Sequence, residues 1–223
     1  MSIADNLKII RKQIPENVRL VCVSKFNPDK AIMNAYDAGE RIFGESKVQE
    51  MCGKYERLPK DIQWHFIGHL QTNKIKYIVP FVGLIHGVDS FRLLQEIDKQ
   101  AGKIGRIVNC LLQIHIATEE TKFGFSEQEL PEMLKDPEFA KLKNVCICGV
   151  MGMATFTEDT EKVRAEFKQL KSIFNYLKRD FFADSNTFKE ISMGMSDDFP
   201  IAIEEGSTMV RIGSSIFGKR MYL

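Results

Sequence analysis

Two stretches of this chain carry side chains whose type and spacing could do chemistry. In Leu20-Val-Cys-Val-Ser-Lys25 an apolar run leads straight into an amine, and the turn-forming Phe26-Asn27-Pro28-Asp29 follows. Such a run reads as a strand buried on both faces, with Lys25 at its carboxyl end, where a parallel α/β sheet presents its chemistry. There the charged amine loses hydration, its pKa falls from the usual value of about 10.4, and the free base can attack a carbonyl. The plainer alternative is that Lys25 snorkels into solvent or closes a salt bridge. The second stretch, near the other end of the chain, is Arg211-Ile-Gly213-Ser214-Ser215. Glycine lets backbone approach an anion, the next N–H groups open a short helix, and two hydroxyls can add hydrogen bonds; the alternative is a simple turn with a cap. Just upstream, Ser192-Met-Gly-Met-Ser196 offers Ser196 to the same anion, and Met193 and Met195 as adaptable apolar surface for a flat ring. Ser196 could instead cap the next helix, with the methionines as core filler.

These groups need elements to position them. Residues 2–14 read as an amphipathic helix ended by Pro15, and from there strands and helices alternate. Strands are expected at 20–25, 41–45, 62–67, 84–88, 106–116, 145–151, 188–192 and 208–212. Helices are expected at 29–38, 47–58, 91–100, 125–134 (capped by Ser126), 160–179 and 199–205, with another ending near Pro80. No linker or low-complexity tract divides them. Eight βα units favour a single-domain (β/α)8 TIM barrel over residues 1–223, with a doubly wound open sheet as the other arrangement. In a barrel the residues after each strand converge on one mouth. That filter selects Lys25, Glu45-Ser46, His65 to His69, His86, Met151 to Met153, Ser192 to Ser196 and Arg211 to Ser215.

Composition narrows the classes. With 31 basic and 30 acidic side chains among 223 residues the formal charge is +1, so no broad field recruits nucleic acid or an anionic membrane. Five cysteines, mostly inside apolar runs, point to reduced thiols rather than a disulfide framework, and Cys146-Ile-Cys148 has neither zinc-ligand nor redox-motif spacing. No signal-peptide segment or long apolar run occurs, so a soluble, cytoplasmic chain is expected. With no apolar surface stripe left over, the barrel is expected to be a monomer.

An amine at the first strand and an anion cradle at the seventh and eighth describe a ligand with both a carbonyl and a phosphate, and pyridoxal 5′-phosphate (PLP) fits. At this point the chain resembles the pyridoxal phosphate homeostasis (YggS/PROSC) family. The resemblance rests on Val23-Ser-Lys25, Phe43-Gly-Glu45 with Val48-Gln-Glu50, and Trp64-His-Phe-Ile-Gly-His-Leu-Gln71 with Asn73-Lys74. Ser192-Met-Gly-Met-Ser196, Gly206-Ser-Thr-Met-Val-Arg-Ile-Gly213 and Ile216-Phe-Gly218 continue it in family order. It implies a barrel similar to the N-terminal domain of alanine racemase, with PLP on Lys25 as an internal aldimine. It implies that Ser196, Gly213 and Ser214 hold the phosphate, and that Arg211 faces the pyridine nitrogen or helps bind the phosphate. An arginine at that nitrogen would disfavour its protonation and weaken the ring as an electron sink. The chain departs from the family at Ser46, where asparagine is usual, at Ser214, where threonine is common, and at His115, where asparagine is common.

Three functions follow as expectations. The first is a PLP carrier that keeps the free aldehyde low and serves PLP-dependent apoenzymes. The second is a racemase or related enzyme of the same class. Against it, the chain ends five residues after Gly218 and so is expected to lack the extra domain that supplies the opposing tyrosine in alanine racemase. The third is a sugar-phosphate barrel with an aldolase-like Lys25. His65, His69, His86 and His115 lack metal-motif spacing and are assigned structural or cofactor-neighbour roles. Glu119-Glu120 and Asp197-Asp198 are read as solvated or first-turn charges, and Phe181, Phe182 and Phe188 as packing residues.

Overall fold

A computed structural model of the chain describes residues 1–118 and 123–218. Eight parallel strands close into a barrel in chain order: β1 (Arg19–Val23), β2 (Ile42–Glu45), β3 (Gln63–Phe66), β4 (Leu84–Val88), β5 (Val108–Gln113), β6 (Val145–Met151), β7 (Glu190–Ser192) and β8 (Met209–Ile212). Closure runs through β1 and β8, where Leu20 is level with Val210 and Cys22 with Ile212. The open-sheet alternative is thereby excluded.

The helices occupy the outside. They are α1 (Ile3–Arg11), α2 (Asp29–Asp37), α3 (Val48–Arg57), α4 (Ile75–Ile78), α5 (Phe91–Gly102), α6 (Glu129–Lys135), α7 (Thr160–Asp180), α8 (Phe199–Glu204) and α9 (Ser214–Phe217). Alternation along the strands sorts the core into two layers. Leu20, Cys22, Phe43 and Trp64 face the helices in one large cluster, whereas Val21, Leu84, Leu111, Met151 and Met209 form a second, smaller cluster inside the barrel. Phe182 and Phe174 each stack on Phe188, and Phe181 meets Tyr176 edge-on, so all three phenylalanines pack as expected.

Element boundaries differ from the sequence expectation most around β5 and α6. The expected strand 106–116 is a strand over Val108–Gln113, with a register shift against β6. The expected helix at 125 begins at Glu129, because Phe125 forms a parallel bridge with Ile114. Ser126 still acts locally: its hydroxyl and backbone N–H both donate to Glu129. Glu119-Glu120 lie outside the described residues. No described helix is long and apolar enough to cross a membrane.

Candidate functional site

The first wall of the mouth is built around Lys25. β1 ends at Val23, and Ser24 is fully buried. Ser24 N–H donates to Gly44 O at 3.0 Å, and its hydroxyl donates to Glu45 Oε1 at 2.6 Å. Lys54, on the inward face of α3, donates to Ser24 O at 2.9 Å, Glu45 Oε1 at 2.8 Å and Glu50 Oε1 at 2.7 Å. Glu50 Oε1 also accepts the Phe26 N–H at 2.6 Å. Both neighbours of Lys25 are therefore fastened to one buried charged cluster. Phe26 adopts φ +65°, a left-handed conformation that costs a side chain energy. Burial pushes the Glu45 carboxyl above its ordinary pKa, while Lys54 and Ser24 oppose the rise.

The second wall carries Arg211, buried at the end of β8. Its Nη1 donates to Ser192 Oγ at 2.6 Å and its Nη2 to Gly152 O at 3.1 Å. Burial lowers its pKa to about 10, with the Asp198 charge opposing that fall, so the guanidinium stays charged at neutral pH.

The third part joins the loops after β7 and β8. Gly213 N–H donates to Ser196 Oγ at 3.3 Å. An added Cβ on Gly213 would stand 3.1 Å from Val23 O, so glycine is what lets this loop close on the end of β1. The loop before α8 turns through Gly194 at φ +95°, and Asp198 Oδ1 accepts the Met195 N–H at 2.5 Å. Ser196 is thus free of the capping role left open by the sequence and faces Gly213 instead.

Lys25, Ser196, Arg211, Gly213 and Ser214 all line one cavity of about 480 Å³, together with Asp197 and the apolar Val23, Ile67, Met153, Phe156 and Met195. That volume suits a small cofactor. The donor set fits PLP on chemical grounds: one amine, one guanidinium, and a glycine flanked by hydroxyls, with apolar side chains and one carboxylate, Asp197, completing the lining. Ser215 does not join Ser214 among the lining residues. Met193 points into the core, fully buried, whereas Met195 reaches the cavity, because the chain has left β7 and turns through Gly194 at φ +95° between them.

His86, selected as a mouth residue, lies inside β4 and is fully buried in contact with Ser192 and His65. Its position in the middle of the strand rather than after it is the reason. His69 is an exposed partner of Asp89 at 2.9 Å and stacks on Phe123. Sequence reasoning missed Lys54 and Phe156. Lys54 had a signal: it stands four residues after Glu50, on the face of α3 that also buries Val48 and Met51.

A lysine after the first strand, sharing a mouth with a glycine and hydroxyl cradle after the seventh and eighth, places the chain in the alanine racemase N-terminal domain class; the family of that description matches residues 1–221. Within it, the chain belongs to the pyridoxal phosphate homeostasis protein family. A protein of that name from Aquifex aeolicus is 40% identical over 205 residues, covering 92% of this chain and 88% of the relative. PipY of Synechococcus elongatus, solved with PLP bound, is 36% identical with a TM-score of 0.88, covering 97% of this chain and all of its own. The alanine racemase from E. faecalis has a TM-score of 0.74 at 15% identity over 98% of this chain and 58% of its own, a likeness of fold alone.

Proposed function

We propose that the whole chain, 1–223, is a single PLP-binding barrel domain that holds PLP for intracellular homeostasis rather than turning over a substrate. The observation that carries this reading is the shared cavity: Lys25 and the Ser196–Gly213 pair line the same 480 Å³ space, so one small molecule can meet an amine and an anion cradle at once. Lys25 holds the aldehyde as an internal aldimine. Gly213 N–H with the Ser196 and Ser214 hydroxyls holds the phosphate. Arg211 faces the ring, because two of its N–H groups are committed to Ser192 and Gly152, neither of which belongs to the cradle. The PLP-bound PipY relative supports the choice of ligand.

Carriage is favoured over racemisation by what surrounds Lys25. Exchange of a Cα proton on both faces needs a second base opposite the lysine. No tyrosine, histidine or cysteine is among the described residues lining the cavity, and the one carboxylate there, Asp197, follows Ser196 in the loop of the phosphate cradle. A reversible linkage that lowers the free aldehyde and releases PLP to apoenzymes needs no such partner. The chain acts in this reading as a cytoplasmic monomer.

Purified protein loaded with PLP is expected to be yellow, and borohydride reduction followed by peptide mapping to put a pyridoxyl group on Lys25. Lys25→Ala should abolish the adduct. A reducible adduct at one site in the Lys25→Ala protein overturns the lysine assignment, and robust α-proton exchange with an amino-acid panel overturns carriage.

A further inference from the structure

The polar groups behind Arg211 do not stop at Ser192. Ser192 Oγ lies 3.0 Å from His86 Nδ1, and His86 Nε2 lies 3.0 Å from His65 Nδ1. Side chains from β8, β7, β4 and β3 therefore form one chain through a barrel interior whose apolar cluster is Val21, Leu84, Leu111, Met151 and Met209. Its far end opens into a second cavity of about 280 Å³ lined by His65, Arg19, Gln63 and Glu190. Arg19, Gln63 and Glu190 are the first residues of their strands, so this cavity is at the amino end of the barrel, opposite Lys25.

The direction of the hydrogens follows from what each group can do. A guanidinium has N–H donors and no acceptor, so Ser192 Oγ accepts from Arg211. Ser192 is fully buried, and the other partner of its hydroxyl among the described residues is His86 Nδ1. Unless that nitrogen accepts, the hydroxyl proton is buried without an acceptor, which is costly. His86 then carries its hydrogen on Nε2 and donates to His65 Nδ1, leaving the His65 hydrogen on Nε2. Burial lowers the pKa of both rings, His65 to about 3, so neither carries charge at neutral pH.

We propose that His86 and His65 are positioning residues for Arg211: a one-way hydrogen-bond chain anchored at the amino end of the barrel sets the guanidinium against the bound ring. Its polarity is a property of the protein alone; its effect on ligand rests on the PLP reading above. Bonds in such a chain polarise one another, so removing a distant link weakens the grip on Arg211.

Side-chain 15N NMR of the PLP-free protein is expected to show both rings as neutral Nε2–H tautomers. A Nδ1–H or doubly protonated ring at neutral pH overturns the polarity. His86→Phe is expected to speed hydrogen exchange at the Arg211 guanidinium, shift the absorbance of bound PLP and weaken PLP binding by up to about tenfold, the limit being complete loss of the Ser192–Arg211 bond. His86→Asn, which keeps an acceptor for Ser192, should restore all three. On a Ser192→Ala background, His86→Phe should add nothing, whereas a merely structural role would add its full effect. Unchanged guanidinium exchange in a folded His86→Phe protein overturns the positioning role whether or not PLP binds. Failure of the wild type to bind PLP sinks the ligand reading and leaves the NMR arms to judge the chain.

Discussion

Two buried polar networks meet at the barrel mouth, and they hold opposite walls by opposite means. On the Lys25 side Glu45, Lys54 and Glu50 form a cluster of full charges whose bonds reach main chain, at Ser24 O and Phe26 N. On the Arg211 side each hydrogen-bond partner among the described residues is neutral: Ser192, Gly152 O and, behind them, two uncharged histidines. The difference matches the task of each wall. A loop forced through a left-handed residue needs strong, charge-assisted bonds to hold its backbone. A guanidinium meant for a ligand must be held still without being neutralised, and among the described residues Arg211 has no carboxylate within salt-bridge distance. The first network consumes its charges internally, and the second keeps one in reserve.

The comparison is broken most severely by Lys54→Met. Glu45 is fully buried, its Oε2 has no hydrogen-bond partner among the described residues, and Lys54 pairs with its Oε1 at 2.8 Å. Removing one partner of a buried pair typically costs about 3–5 kcal/mol. Urea denaturation should find a loss of that size. Arg57→Met, which breaks an ion pair whose two side chains are 58% and 33% exposed, should cost clearly less, because solvent screens that pair. Equal losses at the two sites would mean that burial does not distinguish them.

Lowering the pH should strike the neutral wall next. An unfolded histidine titrates near pH 6.5, whereas burial holds His65 neutral down to about 3 and His86 neutral well below its ordinary value. As pH falls through that window the unfolded chain binds more protons than the folded one, and stability drops by about 1.4 kcal/mol per pH unit for each histidine. Arg211 and Arg19 add to the depression at His86, as does His65 itself. Glu45 works in the other direction, since a raised carboxyl contributes stability that is lost as pH rises through its folded value. Denaturation midpoints measured from neutral pH to about 5.5 should therefore fall more steeply in the wild type than in His86→Phe. A flat wild-type profile would show that neither ring is held neutral by the fold.

The contrast between the walls also explains what could be read from the sequence. The barrel was legible because buried strands are short apolar runs at regular intervals, and the meeting of Lys25, Ser196, Arg211, Gly213 and Ser214 at one cavity was legible because strand ends converge. What escaped depends on which way a residue in the middle of an element faces. Lys54 looks like any solvated helix lysine until α3 docks with that side inward. His86 was assigned to the mouth, yet alternation along β4 sends it into the interior. Phe125 was assigned to a helix, but its backbone pairs with Ile114, a bridge across eleven positions that no local periodicity encodes.

The smallest expected effect tests whether the charged wall truly holds strain. A non-glycine residue in the left-handed region costs roughly 1–2 kcal/mol, and Phe26 at φ +65° stays there while Glu50 grips its N–H. Phe26→Ala keeps that cost and loses the ring beneath the Lys47 ammonium, 4.8 Å from its centroid. Phe26→Gly loses the same ring but removes the strain, at the expense of a more disordered unfolded chain. The glycine variant should therefore be more stable than the alanine variant by about 1 kcal/mol, the reverse of the order at an ordinary surface site. If alanine is as stable as glycine, the left-handed turn carries no strain and the Glu50 bond has nothing to hold. If glycine gains and the Lys25 adduct forms more slowly, the strained turn is what presents the amine to the mouth.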